Sequence, residues 1–160
     1  MYYERVVDFA YKAHKGQMRR GGEEEYFSHC FRVYKHLLNF GIPEHLAYIG
    51  LLHDVLEDTP WTLSEISFHL RFLDSKVLDA LVLLTREEGI SKSDYLNRLY
   101  NSNNSLALVC KSMDALDNSI MSDIGKDFTI NTLGRDWKKD CNRYLKIHKK
   151  CLSLYLSLSN

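Results

Sequence analysis

The sequence is poor in the residues that interrupt helices, with only 2 prolines and 8 glycines among 160 residues. This scarcity excludes a collagen-like chain and disfavours a fold of many short strands joined by tight turns. There is no excess of either charge, because 21 basic side chains balance 21 acidic ones, so we expect no bulk-charge binding of nucleic acid or anionic membranes. The 4 cysteines show no CxxC spacing, which favours reduced thiols in a cytoplasmic protein.

Long hydrophobic runs are also missing. No segment approaches the roughly 18 apolar residues that span a bilayer, and the first residues lack the apolar core of a signal peptide. Hydrophobic residues make up 45% of the chain and charged residues 26%, as in ordinary globular proteins. We therefore predict a single globular domain over residues 1–160.

What the sequence does contain is apolar residues at helical spacing, beginning with a face formed by Val6, Phe9, Ala10 and Ala13. Gly41 stands where a helix C-cap is expected, and Thr62 begins a capping box. Leucines alternate with other residues over 152–158, as in a strand, but a helical stripe also fits and we prefer it. The predicted class is all-α, with further helices at 28–40, 43–57, from 62, 77–85, from 91, 106–121 and from about 133.

The most informative stretch runs from His53 to Asp58. His53 and Glu57 are four residues apart, as are Asp54 and Asp58, so each pair shares a face if the helix is continuous. Carboxylates crowded in this way repel one another unless a cation neutralises them. The stretch favours a metal site with adjacent acid or base groups, and the alternative is an exposed acidic helix end.

Two other segments add possible ligands. His29 opens the second predicted helix, and Asp114 lies four residues before Asn118 in an otherwise apolar helix. A buried Asp114 needs a partner, because burying an unpaired carboxylate is costly. Two imidazoles and two carboxylates suit a divalent ion such as Mn²⁺, Fe²⁺ or Zn²⁺.

Four motifs occur in one order: AHKGQMRRGGE at 13–23, Tyr26 with His29, HDVLEDT at 53–59, and KSMDALDN at 111–118. This pattern resembles the HD-type hydrolase domain of the RelA/SpoT alarmone enzymes, above all the small stand-alone alarmone hydrolases. The resemblance covers residues 10–120 and implies an all-helical domain of eight or more helices. It implies hydrolysis of the 3′-pyrophosphate of guanosine 3′,5′-bis(diphosphate), ppGpp, or of pppGpp, giving GDP or GTP and pyrophosphate.

The resemblance also implies residue roles. One Mn²⁺ per chain would be held by His29, His53, Asp54 and Asp114. Glu57 and Asp58 would be catalytic, Arg19 and Asn118 would bind substrate, and Arg20 would support them. The basic segment 135–150 adds Arg143 and Tyr144 as expected contacts on the far side of an anionic pocket, although a solvated helix face is the alternative.

Three departures from the family pattern stand out. Cys30 follows His29 where the family has proline, Ala115 and Asp117 replace arginine and histidine, and acids occupy Glu23–Glu25. We expect Asp117 and the three glutamates to weaken ppGpp binding by charge repulsion. The departures keep open an HD phosphohydrolase acting on another nucleotide (a dNTP, a nucleoside monophosphate or an NADPH-like molecule) and a non-enzymatic nucleotide sensor. The length leaves no room for a synthetase domain, and the oligomeric state is open, a homo-oligomer included.

Overall fold

The protein is described here by a computed structural model, which covers residues 1–19, 24–124 and 137–159, with backbone alone at 122–124 and 137. In these ranges the regular structure is helical, apart from one isolated antiparallel bridge between Met18 and Glu25. The all-α prediction is confirmed. Among the described helices, none combines the length and hydropathy needed to cross a bilayer.

The helices follow one another with short connections. In chain order they are α1 Tyr2–Ala13, α2 Tyr26–Asn39, α3 Glu44–Ala47, α4 Ile49–Leu52, α5 Val55–Asp58, α6 Leu63–His69, α7 Ser75–Leu84, α8 Lys92–Tyr100, α9 Ser105–Ile124 and α10 Trp137–Leu158. The helical interpretation of the C-terminal leucines is confirmed by α10. Its predicted start, near Leu133, lies outside the described residues.

The prediction of one helix over 43–57 is wrong, because three single turns, α3 to α5, replace it. The last break falls at His53 and Asp54, where Asp54 has φ −104° and ψ −1°. On a straight helix these neighbours would point about 100° apart around the axis. The break lets both side chains face the same point between α2 and α9.

Helix ends follow the predicted capping chemistry. Gly41 adopts φ +95°, and the backbone N–H groups of Gly41 and Ile42 bond to the carbonyls of Leu38 and Leu37, which closes α2 in a Schellman motif. Thr62 and Glu65 form the predicted reciprocal capping box at the start of α6. These caps set where α2 ends and where α6 begins, and therefore where the connecting segments run.

The core lies where α2, α4, α7 and α10 pack against α9. Gly50 in α4 allows an unusually close approach to α2, because a Cβ there would lie 2.6 Å from the backbone nitrogen of Tyr34. Leu37 Cδ1 would lie 3.0 Å from the same Cβ, and Leu37 is fully buried. The close packing brings the C-terminal end of α4 next to the first turn of α2, which places His53 beside His29.

Candidate metal centre

Four side chains from three parts of the chain converge between α2, α9 and the junction of α4 and α5. His29 Nε2 lies 3.2 Å from Asp114 Oδ1 and 3.8 Å from Asp54 Oδ2. His53 Nε2 lies 3.0 Å from Asp54 Oδ2 and 3.9 Å from Asp114 Oδ1. His29, His53 and Asp114 offer ligand atoms that all lie within 4.8 Å of one another, and Asp54 Oδ2 approaches both imidazoles of this group.

The donor set fits a divalent metal ion. Ligand atoms bound to one ion at about 2.0 to 2.2 Å lie roughly 3 to 4 Å apart, which is the range of these separations. Both imidazoles are almost completely buried, and His53 Nε2 makes no hydrogen bond within the described residues. A buried nitrogen without a hydrogen-bond partner is costly unless an ion or a water occupies its lone pair.

The imidazole of His53 is held by its own helix, because its Nδ1 lies 2.9 Å from the carbonyl oxygen of Gly50. Burial by itself lowers the pKa of His53, but the charges of Asp54 and Asp114 outweigh burial and raise that pKa to about 9. The two carboxylates thus favour positive charge at the position that His53 Nε2 faces. A divalent cation would supply such a charge.

The two carboxylates have fixed partners outside the cluster. The phenol of Tyr26 donates to Asp54 Oδ2 at 2.7 Å, and Lys111 Nζ donates to Asp114 Oδ2 at 2.7 Å. Burial raises the pKa of Asp114, but the Lys111 ammonium and the nearby imidazoles together hold it well below its usual range. Both carboxylates are therefore oriented acceptors, and Asp114 Oδ1, the oxygen that faces His29, also accepts from Asn118 Nδ2 at 2.5 Å.

Glu57 and Asp58, the predicted catalytic pair, lie at the exposed edge of the centre. Glu57 Oε2 accepts from the backbone N–H of Arg86 at 2.9 Å. The Asp58 carboxylate faces the phenol of Tyr26, whose pKa is raised by burial, by Asp54 and by Asp58. The backbone N–H of Asp58 donates to the Asp54 carbonyl oxygen at 2.9 Å, so this pair keeps the predicted helical spacing. The break at His53 and Asp54 falls inside the other predicted pair, His53 and Glu57.

Arg19 and Asn118, the predicted substrate contacts, form a hydrogen bond with each other next to Asp114. Arg19 Nη2 donates to Asn118 Oδ1 at 2.8 Å, and Asn118 Nδ2 donates to the carbonyl oxygen of Asp114 at 3.0 Å. The Arg19 guanidinium also lies 5.7 Å from the ring centroid of Tyr26. Arg20, the predicted supporting contact, lies outside the described residues.

Arg143 and Tyr144 lie on α10, and Lys92 of α8 approaches the Tyr144 ring. The Arg143 guanidinium lies 4.8 Å from the Tyr144 ring centroid, and Lys92 Nζ lies 5.7 Å from it. Burial, followed by repulsion from Arg143 and Lys111, lowers the pKa of Lys92. Arg143 Nη2 also lies 3.0 Å from Asp140 Oδ1, so an acid already offsets part of this positive charge.

Known proteins resemble both the sequence and the fold. A probable chloroplastic GTP diphosphokinase of Arabidopsis thaliana is 34% identical over 106 residues, covering 66% of this chain and 13% of that protein. A guanosine-3′,5′-bis(diphosphate) 3′-pyrophosphohydrolase of Borreliella burgdorferi is 29% identical over 159 residues, 97% of this chain and 22% of that protein. The chain thus spans less than a quarter of the length of these relatives.

The fold has a solved counterpart in a metazoan ortholog of SpoT, described as hydrolysing ppGpp and acting in starvation responses. The two structures superpose with a TM-score of 0.65 at 20% identity, over 98% of this chain and 94% of the other. No family model matches the sequence. These similarities support a RelA/SpoT-type HD hydrolase, the resemblance that the sequence motifs indicated.

One departure from the RelA/SpoT motif has a structural explanation. Asp117 is 1% exposed, its Oδ2 lies 2.7 Å from His29 Nδ1, and Arg32 Nε donates to its Oδ1 at 2.7 Å. The carboxylate thus points inward and is paired, and the expected weakening of ppGpp binding by its charge stays a prediction. Glu24 also pairs with Arg32, Glu25 is exposed, and Glu23 lies outside the described residues.

A second departure from the RelA/SpoT motif, Cys30, places a buried thiol at the centre. Its Sγ lies within 4.8 Å of the ligand atoms of both His53 and Asp54. Burial, then the charge of Asp54, raises the pKa of Cys30 well above its usual value. The thiol is thus kept neutral, and a neutral thiol is a poor metal ligand compared with the imidazoles and carboxylates around it.

Sequence reasoning missed several residues of this RelA/SpoT-type site. Arg32 lies three residues after His29, and therefore on the same face of α2, which was an available signal. The contact between His29 and Asp117 joins residues 88 positions apart, and no spacing rule reveals it. Lys92 carried no signal beyond its charge.

Proposed function

We propose that this chain hydrolyses the 3′-pyrophosphate of ppGpp or pppGpp and releases GDP or GTP with pyrophosphate. The observation that carries the proposal is the cluster of His29, His53 and Asp114 with Asp54 against both imidazoles, next to the Lys111 ammonium. Support also comes from the relatives named as 3′-pyrophosphohydrolases of this nucleotide. The relatives are much longer than this chain, so the activity is proposed for the chain itself.

His29, His53, Asp54 and Asp114 would hold one divalent ion per chain, and we propose Mn²⁺. When bound, a divalent ion supplies Lewis-acid charge, which lowers the pKa of a water molecule and offsets charge on phosphate oxygens. The buried imidazoles and the oriented carboxylates would keep the ligand geometry fixed during turnover.

A cytoplasmic location also stays a prediction, since the Arabidopsis relative is chloroplastic.

Proton transfer would be the role of the exposed acids. Asp58, which faces Tyr26 beside the ligand Asp54, would orient the attacking water and take its proton. Glu57 would carry a proton at the entrance, where the Arg86 N–H fixes its carboxylate. Such acid and base groups contribute about 10²- to 10⁴-fold to rate.

The substrate would lie between the two basic sides of the site. Arg19 would offer a planar fork to a phosphate, or stack on the base, and Asn118 would fix its orientation. Arg143 and Lys92, whose charged groups both lie against the Tyr144 ring, would receive the second phosphate group together with Tyr144. Arg20 stays a predicted supporting contact.

The test is a product analysis with a matched nucleotide panel. Metal-free protein is reloaded with Mn²⁺, Zn²⁺ or Mg²⁺ and incubated with ppGpp, pppGpp, GDP, a dNTP and NADPH, and products are identified by mass spectrometry. Intact pyrophosphate and GDP from ppGpp, with GDP itself untouched, are the expected products. Orthophosphate as the sole phosphorus product, or cleavage of another nucleotide instead of ppGpp, would make the chain a phosphohydrolase of different specificity. Binding of ppGpp without turnover would make it a sensor.

A further inference from the structure

Asp117 is buried against the face of His29 that points away from the proposed metal. Its Oδ2 lies 2.7 Å from His29 Nδ1, while the opposite nitrogen, Nε2, faces Asp114 and Asp54. Because Asp117 can only accept, the contact requires a proton on Nδ1. That tautomer leaves the Nε2 lone pair directed at the metal position.

Arg32 holds Asp117 in this orientation. Its Nε donates to Asp117 Oδ1 at 2.7 Å and its Nη2 donates to Oδ2 at 3.1 Å, so the guanidinium forms a bidentate ion pair with the carboxylate. His36 Nε2 lies 3.6 Å from Oδ1 on the same side of the carboxylate as Arg32 Nε. A buried carboxylate with these donors stays ionised and keeps a single position.

Glu24 extends the contact to the segment that carries Arg19. Its carboxylate receives the Nη1 and Nη2 groups of Arg32, and its carbonyl oxygen accepts from the backbone N–H of Arg19 at 2.8 Å. The contacts Glu24–Arg32–Asp117–His29 therefore link the segment that carries Arg19 with a proposed metal ligand.

We propose that Asp117 is a positioning residue for His29, and that Arg32 and Glu24 hold it so that the site binds its divalent ion tightly. The proposal rests on the metal site of the proposed function, but not on the identity of the substrate. Charge repulsion of the substrate alone would make Asp117→His improve ppGpp binding. The positioning role predicts instead that Asp117→His weakens the metal centre, because an imidazole cannot accept from both His29 and Arg32.

The critical variant is Asp117→Asn, which keeps the size and removes one acceptor. Asp117 accepts from His29 with one oxygen and from Arg32 with both, whereas asparagine has one acceptor and one donor group. An amide nitrogen facing His29 would favour the Nε2–H tautomer, which cannot bind metal through Nε2. Asp79→Asn on α7 is the matched control, because it removes an exposed carboxylate.

Two readouts do not depend on turnover. Chelator competition measures the Mn²⁺ affinity, and nitrogen-15 NMR of histidine-labelled, metal-free protein reports the tautomer of His29. Asp117→Asn should weaken Mn²⁺ binding about 10- to 100-fold and raise the Nε2–H population, while Asp79→Asn changes neither. If Asp117→Asn does not fold, Arg32→Gln serves instead, with a smaller loss of affinity in the same direction.

The outcomes separate this proposal from the proposed function. A folded Asp117→Asn protein with wild-type Mn²⁺ affinity and an unchanged His29 tautomer would overturn the positioning role and leave only an ion pair. Wild-type protein that binds Mn²⁺ but ignores ppGpp would remove the proposed substrate and leave the Asp117 measurement valid. Wild-type protein that binds no divalent ion would overturn both.

Discussion

The inner and outer parts of the site are built differently. Inside, the ligand side chains of His29, His53 and Asp114 are at most 7% exposed, and their positions are set by contacts from neighbouring helices. Outside, the side chains of Glu57, Arg86 and Arg143 are 33%, 44% and 42% exposed. The inner groups cannot rely on water for solvation, whereas the outer groups can.

This difference indicates where a substitution acts. A buried polar group that loses its partner keeps the full cost of desolvation, so changes in the inner part should affect metal binding and folding together. An exposed group exchanges a protein partner for water at little cost, so changes in the outer part should alter rate or affinity alone. The following variants test this division, beginning with the largest effect.

Asp114→Asn should abolish stoichiometric metal binding. The substitution removes a ligand charge and leaves the Lys111 ammonium, 2.7 Å away in the wild type, without its counter-charge. Metal analysis of the purified variant should find no retained ion, with turnover at background, and circular dichroism checks that the helices persist. Equal metal content in variant and wild type would remove Asp114 from the ligand set.

Glu57→Gln and Asp58→Asn should separate chemistry from metal binding. Both variants keep the shape and lose an acid or base, so kcat should fall by about 10²- to 10⁴-fold. In Glu57→Gln the side-chain amide carbonyl can still accept from the Arg86 N–H, so the local structure should hold. Metal content is the control and should equal that of the wild type. Turnover at the wild-type rate in both would make these carboxylates structural.

Arg19→Ala should raise the KM for ppGpp and leave metal content unchanged. Hydrogen bonds to charged groups contribute about 1.5 to 3 kcal/mol, which corresponds to a rise of roughly 10- to 100-fold. Arg19→Lys is the informative companion, because it keeps the charge and loses the planar fork that bonds Asn118. A KM that Arg19→Lys fully restores would assign Arg19 a purely electrostatic role.

Gly50→Ala should destabilise the protein and weaken the inner site. The added Cβ would stand 2.6 Å from the Tyr34 nitrogen and 2.7 Å from its Cα, and overpacking of this kind costs about 1 to 3 kcal/mol. Because the Gly50 carbonyl receives His53 Nδ1, a shift of α4 moves a ligand as well. Thermal melting and Mn²⁺ titration measure the two effects.

Gly89→Ala is the matched control for Gly50→Ala. A Cβ at Gly89 meets nothing within 4 Å, and the change carries only the cost of a left-handed conformation, about 1 kcal/mol. It should lower the melting temperature without altering Mn²⁺ affinity. A similar loss of affinity in both variants would contradict the role given to the close contact between α2 and α4.

The sequence was most informative where structure depends on near neighbours. The Thr62–Glu65 capping box and the Gly41 cap were predictable, because each joins residues within a few positions of one another. The helix break at Asp54 was not, since the apolar pattern before it continues at helical spacing and the bend serves contacts with α2 and α9. The ligand set came from the resemblance to a known family, and the structure adds its geometry.

Residues that act over long sequence separations could not be predicted. Asp117 is an example, because its sequence context suggested a repulsive charge while its partners, His29 and Arg32, lie 88 and 85 positions away. Charge alone does not determine whether a side chain faces a substrate or a buried imidazole. Burial and the contacting donors decide that, and both follow from the tertiary packing of α2 on α9.

The smallest effect is expected from Arg143→Gln on the outer surface of α10. The Arg143 side chain is 42% exposed and already lies 3.0 Å from Asp140, so its attraction for an anionic nucleotide is screened. An exposed pair contributes about 0.2 to 1 kcal/mol, which predicts a rise in KM of at most a few-fold.

Lys150→Gln, two helical turns further along and exposed, makes the same change in net charge and serves as control. Steady-state kinetics at low and high salt should show a rise for Arg143→Gln at low salt that disappears at high salt, with no change for Lys150→Gln. Equal effects of both substitutions would mean that the net charge of α10, rather than a specific contact from Arg143, attracts the nucleotide.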